Sequence, residues 1–288
     1  MIKDLRGCNA IVTGASRGIG VPIALALADE GVNVALAARS AEGLDKVRAS
    51  AEEKGVRAVA VPTDVGEDSQ LDALVERAER EIGPTDILVN NAGIEATFPY
   101  DEYPPEQITK LIQVNVLAPM LLTRKVLPGM LARGRGHVVQ IASLAGKGGF
   151  PLQAPYAASK AALVQFNHSL RAELVDSPVD SSVICPGFVS DEGMYADMAR
   201  QTGVEASRLL GVSTPERVAK AVIKAIKRGS SELIVNPAPM RPVIVLRELL
   251  PDLSPRVLKT FGVTALARRV ASIQKGSAYP PRPSRGGP

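Results

Sequence analysis

Short apolar segments alternate with longer amphipathic ones along most of the chain. The short segments are nearly continuous in β-branched and aliphatic residues, as is typical of strands covered on both faces. Seven such segments are predicted strands: 9–13, 33–37, 57–62, 86–90, 137–142, 181–185 and 232–235. Between them, stretches such as 67–82 and 105–131 repeat apolar residues at helical spacing. This order predicts an α/β fold with a doubly wound, parallel, seven-stranded sheet and helices on both faces.

The pattern changes after Val235. The segment "NPAPMRP" holds three prolines, and the helical run that follows it is interrupted by Pro251 and Pro255. We therefore expect one domain over residues 1–239 and an apolar, basic helical extension over 240–274. The last residues, 275–288, are rich in Pro and Gly and are predicted to be disordered.

Positive charge is concentrated in the C-terminal part of the chain. The formal charge of the 288 residues is +4, but from Met240 onward nine basic and two acidic residues give +7, which leaves −3 for the rest. No nucleic-acid-binding motif accompanies these charges. The basic tail could lie on an anionic membrane surface or pack on a neighbouring subunit, and its prolines favour packing.

Composition and the start of the chain indicate a cytoplasmic protein. Hydrophobic residues make up 45 % of the chain and charged residues 22 %, an ordinary balance for a soluble globular protein. The start, "MIKDLRGCNAIVTG", does not have the pattern of a signal peptide, and no apolar run is long enough to span a membrane. Cys8 and Cys185 are too few for a disulfide framework and are expected in the core. Neither His137 nor His168 has partners at metal-ligand spacing, so no metal is predicted.

A glycine-rich segment, "TGASRGIG" (13–20), directly follows the first predicted strand. At such a junction the helix N-terminus offers free N–H groups and a positive dipole, and glycine lets a pyrophosphate approach the backbone. The spacing departs from the common dinucleotide fingerprint, but its place at the first strand of a βαβ series favours a dinucleotide site. The residues expected to form it are Gly14, Ser16, Arg17, Gly18, Ile19 and Gly20.

The end of the second predicted strand indicates which dinucleotide binds. An NAD site offers an acid to the ribose hydroxyls at this place, whereas the sequence "ALAARSAE" has Arg39 and Ser40 there. Arg39 and Arg17 together suit a 2′-phosphate, to which guanidinium groups make charge-assisted hydrogen bonds. The alternative interpretation is two solvated surface arginines. The pattern favours NADP(H).

Tyr156 and Lys160 stand four residues apart in "YAASK", which places both on one face of a helix. Ser143 and the segment "NNAG" (90–93) end predicted strands, and Asn115 lies in a predicted helix. Because the carboxyl ends of parallel strands meet at one edge of a sheet, we expect these residues to gather beside the glycine turn.

Taken in order, these motifs resemble the short-chain dehydrogenase/reductase family. The match covers residues 8–235 and consists of TGxxxGxG, Asp64-Val65 after the third strand, NNAG, the helical Asn115, Ser143, YxxxK and Pro186-Gly187. The resemblance implies a Rossmann-type fold. It also implies hydride transfer between a nicotinamide and a carbonyl or secondary-alcohol carbon.

The chemistry requires these residue types. A carbonyl that accepts a hydride must also gain a proton, which Tyr156 would supply. A free phenol has a pKa of about 10, and the nearby charge of Lys160 is expected to lower it. Ser143 would stabilise the substrate oxygen. By the family pattern Lys160 also bonds the nicotinamide ribose and Asn115 anchors a proton-relaying water, so the predicted catalytic residues are Asn115, Ser143, Tyr156 and Lys160.

The resemblance implies the remaining cofactor contacts as well. These are Asp64 and Val65 at the adenine, Asn91, Ala92 and Gly93 at the ribose, and Pro186, Gly187 and Val189 at the nicotinamide. One position departs from the family, which often has a threonine four residues after this glycine. Here Asp191 occupies that place, and a carboxylate would repel a pyrophosphate. Either Ser190 takes over the role or the segment is displaced.

The segment after strand seven indicates the substrate. Many family members end there, whereas this chain continues with an apolar extension that resembles the hydroxysteroid and retinol dehydrogenase-type branch. We expect an NADP(H)-dependent oxidoreductase acting on a lipophilic ketone or aldehyde. The alternatives are a 3-oxoacyl reductase of lipid metabolism and a non-enzymatic NADP(H)-binding regulator, although regulators usually lack the Tyr or the Lys.

Two further features follow from the resemblance. Met194, Tyr195 and Met198 fall in the family's mobile lid, where they either touch substrate or form the underside of a short helix. The family also assembles through the helices that hold Asn115 and "YAASKAALVQF", whose small alanines permit close helix packing. A homodimer or homotetramer is therefore expected.

Overall fold

The computed structural model describes residues 2–190, 195, 199, 200, 203, 211–253, 259 and 262–274. Within this part the strands are β1 Asn9–Thr13, β2 Asn33–Ala38, β3 Ala58–Pro62, β4 Ile87–Asn90, β5 Gly136–Ile141, β6 Val179–Pro186, β7 Phe188–Val189, β8 Val212–Ser213 and β9 Glu232–Val235. Seven of them form one sheet in the order β3-β2-β1-β4-β5-β6-β9. Every neighbouring pair is parallel. The predicted doubly wound α/β fold is confirmed.

Helices lie between successive strands along the chain, as crossovers between parallel strands require. They are α1 Gly20–Asp29, α2 Ala41–Glu52, α3 Asp68–Glu81, α4 Pro105–Ile112, α5 Ala118–Arg133, α6 Ala145–Gly148, α7 Ala154–Glu173, α8 Pro215–Arg228, α9 Met240–Leu249 and α10 Val263–Gln274. Their ends carry the usual signals. Helix α8 begins with Pro215 and stops at Gly229, whose φ of 61° completes the C-cap.

The sheet is buried by helices on both faces. One core contains apolar side chains of α1, α2 and α8, and the other contains those of α3, α5 and α7. Strands β1 and β4 are buried at every position. This explains why their sequences read as unbroken apolar runs instead of alternating ones.

The structure differs from the sequence prediction in two places. The predicted helical stretch 105–131 is divided into α4 and α5 by a π-helical turn, Gln113–Leu117, which holds Asn115. Such turns insert an extra residue into a helix and are frequent at functional sites. Strands β7 and β8 form a separate parallel pair that the sequence did not indicate, because two residues are too short to show any periodicity.

Buried polar side chains tie α7 to the sheet edge. The Asn167 side chain is fully buried, donates to the Ser231 carbonyl at 3.1 Å and accepts from the Ser181 hydroxyl at 2.6 Å. One turn further on, the Arg171 guanidinium donates to the carbonyls of Ser181 and Gly229. These bonds fix the register of α7, which carries Tyr156 and Lys160, against β6.

Replacing the buried amide should therefore weaken the fold. We expect Asn167→Ala to lower the free energy of unfolding by ~1–3 kcal/mol, because it leaves the buried Ser181 hydroxyl without its acceptor and removes the bond to the Ser231 carbonyl. Urea denaturation followed by circular dichroism measures this loss. The matched control is Gln165→Ala, the truncation of an exposed amide on the same helix. Equal losses in the two variants would contradict the role given to Asn167.

Candidate active site

The turn between β1 and α1 has room only for glycine at its critical positions. A Cβ on Gly14, whose φ is 67°, would lie 2.9 Å from the Ala92 Cα, and one on Gly20 would lie 2.1 Å from the Gly14 carbonyl oxygen. Gly18 also has a positive φ, of 61°. The glycines therefore let this turn pack directly against the segment after β4, while Gly14 and Gly18 line the cleft with backbone alone.

The segment after β4 is fastened to the same turn. The Asn91 side-chain amide donates to the carbonyls of Thr13 and Gly14 at 2.9 and 3.2 Å. The Thr13 hydroxyl accepts from the backbone N–H groups of Asn91 and Ala92, both at 3.0 Å. Thr13 was not predicted from the sequence, although its place immediately before the glycine turn is a usable signal.

Arg17, Arg39 and Ser40 stand together at the outer end of the cleft, beyond the carboxyl end of β2. Both arginines are exposed. Ser40 has a structural task as well, because its hydroxyl accepts from the Gly43 N–H at 3.2 Å and caps α2. Asp64 accepts from the Gly66 N–H at 3.0 Å, which fixes the turn that follows β3 beside Val65.

Asn115 is fully buried behind the cleft. Its side-chain oxygen accepts from the Ile94 N–H at 2.9 Å, and its amide donates to the Ile94 carbonyl at 2.8 Å and to the Ser159 hydroxyl at 3.0 Å. These bonds join the π-helical turn to both the NNAG segment and α7. The Asn115 side chain is thus engaged with protein groups, and its predicted role in anchoring a water stays a prediction. Ser159 was missed by sequence reasoning.

Ser143, Tyr156 and Lys160 meet where β5 ends and α7 begins. Ser143 interacts with the Tyr156 hydroxyl and lowers its pKa, and the Ser143 hydroxyl accepts from the Ala145 N–H at 3.1 Å. The Lys160 ammonium donates to the Ile141 carbonyl at 2.9 Å and lies 5.9 Å from the centre of the Tyr156 ring. The three predicted groups are thus brought together at one edge of the sheet.

The expected effect of Lys160 on Tyr156 does not dominate in this structure. Burial raises the pKa of Tyr156, and the nearby charge of Glu95 raises it further, while the hydrogen bond from Ser143 lowers it. Burial also lowers the pKa of Lys160 to about 8. The physical reason is desolvation, which disfavours a phenolate and an ammonium alike. Glu95 lines the cleft and was not among the predicted residues.

The segment after β6, predicted to contact the nicotinamide, lines the same cleft. The Gly187 N–H donates to the Val235 carbonyl at 3.0 Å, and the Pro186 carbonyl accepts from the Leu144 N–H at 2.8 Å. The Ser190 hydroxyl donates to the Ser213 carbonyl at 3.2 Å, and whether it takes over the role of the family threonine stays a prediction. Asp191, Met194 and Met198 lie outside the described residues. Tyr195 is described, and its ring lies 4.9 Å from that of Phe188.

One cavity of about 530 Å³ connects these elements. Every predicted catalytic and cofactor-binding residue lines it except Gly20 and Asn115, which act from behind its wall. The far end is closed by the extension, which contributes Met240, Val243, Ile244, Leu246, Arg247, Leu250, Val263, Leu266, Ala267 and Val270. Sequence reasoning found the apolar spacing of the extension but not its position over the cleft.

The near end of this cavity fits a nicotinamide dinucleotide. The glycine turn lines it with Gly14 and Gly18, which have no side chain to occupy the space, and the buried Asn91 side-chain oxygen has no hydrogen-bond partner among the described residues. Residue 93 beside the catalytic lysine is a glycine, and a Cβ there would lie 3.3 Å from the Lys160 ammonium. These residues would hold the pyrophosphate and ribose of the cofactor.

Other titratable groups have structural surroundings. His137 is fully buried, hydrogen-bonded to Ser182 at 2.8 Å, and burial lowers its pKa to about 3, which keeps it neutral. Burial raises the pKa of the Cys185 thiol to about 12, and Cys8 is buried as well. Over the described residues, no three His, Cys, Asp or Glu side chains lie close enough together to hold a metal ion. None of the described helices is long and apolar enough to cross a bilayer.

The fold and the site together define a nicotinamide-dependent oxidoreductase, and comparison with known proteins identifies its family. The model of the family "short chain dehydrogenase" matches residues 8–202. A ketoacyl reductase, HetN, of Nostoc sp. is 42 % identical over 283 residues, which are 96 % of this chain and 97 % of that protein. The chain belongs to the short-chain dehydrogenase/reductase family and is an oxidoreductase.

Other relatives differ in the substrate and cofactor that their names state. The 5-keto-D-gluconate 5-reductase of Escherichia coli K12 is 34 % identical over 69 % of this chain and 82 % of its own length. The crystal structure of an actinorhodin polyketide ketoreductase with NADPH superposes with a TM-score of 0.75, at 33 % identity, over 82 % of this chain and 98 % of that one. The structure of a xylitol dehydrogenase bound to NAD⁺ superposes with a TM-score of 0.74, at 26 % identity, over 82 % of this chain and 100 % of that one.

The buried ammonium of Lys160 should cost stability in a defined pH range. An unfolded lysine loses its proton near 10.5, whereas in the folded protein the pKa is about 8. Below pH ~8 both states carry the charge and the folded state bears the full cost of burying it; stability then rises with pH between the two values. At neutral pH we expect the free energy of unfolding of Lys160→Met to exceed that of the wild type by ~1–3 kcal/mol.

Denaturation at neutral and alkaline pH measures this difference. The advantage of Lys160→Met should shrink as the pH passes from about 8 to above 10, because the wild type then loses its buried charge. The control is Lys224→Met, at an exposed lysine on α8, which should show no such pH dependence. A constant difference between Lys160→Met and the wild type across this range would refute the argument.

Proposed function

We propose that this protein is an NADP(H)-dependent oxidoreductase that transfers a hydride between nicotinamide and the carbonyl or secondary-alcohol carbon of a lipophilic substrate. The observation that carries this proposal is the apolar wall that α9 and α10 build over the catalytic end of the cavity. Aliphatic side chains dominate this wall. A polar sugar would leave its hydroxyl groups without partners there, whereas an apolar ketone would gain from leaving water.

The catalytic groups suit proton transfer at the substrate oxygen. A bound nicotinamide dinucleotide supplies or accepts the hydride. The Tyr156 hydroxyl gives a proton to the carbonyl oxygen or takes one from the alcohol, and Ser143, already in contact with that hydroxyl, orients the same oxygen. Lys160 holds a positive charge behind the pair. All three groups line the cavity, so a substrate carbon placed there is also within reach of the nicotinamide.

The cofactor preference rests on charge at the outer end of the cleft. Arg17 and Arg39 line the cavity where an adenosine ribose would end, and a 2′-phosphate would find two guanidinium groups there. The NADPH that is bound in the polyketide ketoreductase structure agrees with this proposal.

A cofactor titration tests this preference. We expect Arg39→Ala to weaken NADPH binding about tenfold and to leave NADH binding nearly unchanged, because only the former loses a charge-assisted hydrogen bond. Quenching or enhancement of dinucleotide fluorescence gives both dissociation constants. Arg124→Ala is the matched control, since Arg124 is an exposed arginine on α5 that does not line the cavity. Equal NADPH and NADH affinity in the wild type would show that these arginines do not read the phosphate.

A second candidate function is the reduction of 3-oxoacyl thioesters. It is favoured by the Nostoc relative named a ketoacyl reductase, whose match extends over the C-terminal extension as well. The same apolar wall could take an acyl chain. A non-enzymatic regulator is less favoured, because the site holds Ser143, Tyr156 and Lys160 in one cluster.

A substrate panel separates these functions. We expect the purified protein with NADPH to reduce apolar ketones and aldehydes with a kcat/KM at least tenfold above that for keto sugars, as burial of several methylene groups implies. Tyr156→Phe should lower turnover ~10²–10⁴-fold on every substrate and leave NADPH affinity unchanged. Faster reduction of 3-oxoacyl thioesters than of simple apolar ketones would favour the second candidate. A higher kcat/KM for keto sugars than for apolar ketones would contradict the proposed lipophilic substrate.

Assembly and location stay predictions. We infer a homodimer or homotetramer formed through the helices that hold Asn115 and Tyr156, in a cytoplasmic enzyme whose residues 1–239 form the catalytic domain. The small side chains of Ala157, Ala161 and Ala162 support close packing along α7.

A further inference from the structure

Helix α9 is attached to the rest of the protein by a narrow face. Its residues Val245 and Leu249 are 57 % and 72 % exposed, and of its ten residues only Met240, Ile244 and Arg247 fall short of the exposed class. Such a helix gains little from burial and needs another contact to keep its position. Arg247 makes that contact, because its guanidinium donates a hydrogen bond to the backbone carbonyl of Lys147.

The acceptor belongs to α6, the short helix that follows Ser143. Within α6 the Ala145 N–H binds the Ser143 hydroxyl at 3.1 Å. A Cβ on Gly146 would lie 2.6 Å from the Lys160 carbonyl carbon, so α6 rests directly on the backbone of the catalytic helix α7. One short element therefore touches the catalytic serine, the helix of the catalytic lysine and the extension.

One ion pair holds α6 in place. The Lys147 ammonium lies 2.9 Å from the Glu232 carboxylate at the start of β9, and both side chains are less than one-fifth exposed. His168 on α7 approaches the same carboxylate oxygen at 3.3 Å. Helix α6 is thus held firmly in place, and the hydrogen bond from Arg247 attaches α9 to it. Arg247 also lies 3.5 Å from the carboxylate of the exposed Glu248, but this ion pair is within α9 and cannot position the helix.

We propose that Arg247 is a positioning residue: it holds α9 against α6 so that the apolar side chains of α9 close the substrate end of the cavity over Ser143 and Tyr156. Val243, Leu246 and Leu250 line that end, yet each is about half exposed, so they bound the cavity only while the helix keeps its place. This inference rests on the proposed function, since only a substrate large and apolar enough to touch α9 would depend on its position.

Steady-state kinetics of Arg247→Met test the proposal, because methionine keeps a long apolar side chain and removes the donor. For a bulky apolar ketone we expect kcat/KM to fall about fivefold, mainly through KM, as loss of one hydrogen bond implies. For a ketone of a few carbons, and for NADPH binding, the change should stay within about twofold. Arg247→Lys, which keeps a donor and the charge, should recover part of the loss.

The matched control is Arg241→Met, which removes the same charge from an exposed position of the same helix. Its kcat/KM for both the large and the small ketone should stay within about twofold of the wild-type values. The proposal fails if Arg247→Met behaves like Arg241→Met, or if it lowers kcat/KM equally for large and small ketones, as general loss of structure would. A wild type without any preference for apolar ketones would instead remove the proposed function, so the two failures are distinguishable.

Discussion

The burial of the Lys160 ammonium is the constraint on which the site depends. The side chain is 2 % exposed, and its charge is held by a hydrogen bond to the Ile141 carbonyl at the end of β5. A buried charge is tolerable only with well-placed partners, so α7 must dock on β5 in one register. Gly93 follows from the same constraint, because a side chain there would press on the ammonium. Tyr156, one turn earlier on α7, is thereby placed beside Ser143.

The sheet could be predicted from the sequence because its strands are buried on both faces. β1 and β9 have the predicted bounds, and the other strands of the large sheet differ by one or two residues at an end. The site could be predicted as well, for a related reason. In a parallel sheet the segments after β1, β2, β3, β4, β5 and β6 all open at one edge, so polar motifs in those segments converge whatever the loops do.

What escaped prediction depends on contacts that are distant in sequence. The π-helical turn at Asn115 exists where the side chain binds the Ile94 backbone, and the apolar pattern of 105–131 is compatible with a continuous helix. The influence of Lys160 on Tyr156 was expected from spacing alone, but burial depends on every element that covers the pair and here outweighs the charge. The place of α9 and α10 could not be predicted, since an amphipathic segment shows that it packs but not on what.

The two ends of the cavity are therefore built by different rules. The cofactor end consists of strand-end segments whose positions are dictated by the sheet and by bonds such as those of Asn91 and Thr13. The far end is lined by α9 and α10, which lie outside the sheet, so their side chains can change without disturbing Lys160 or the glycine turn. A family that combines one chemistry with many substrates needs these two ends to be separate. Substitutions that change the specificity must not displace the buried charge of Lys160. In this chain the link between the two ends is α6, which carries no catalytic side chain itself but contacts both.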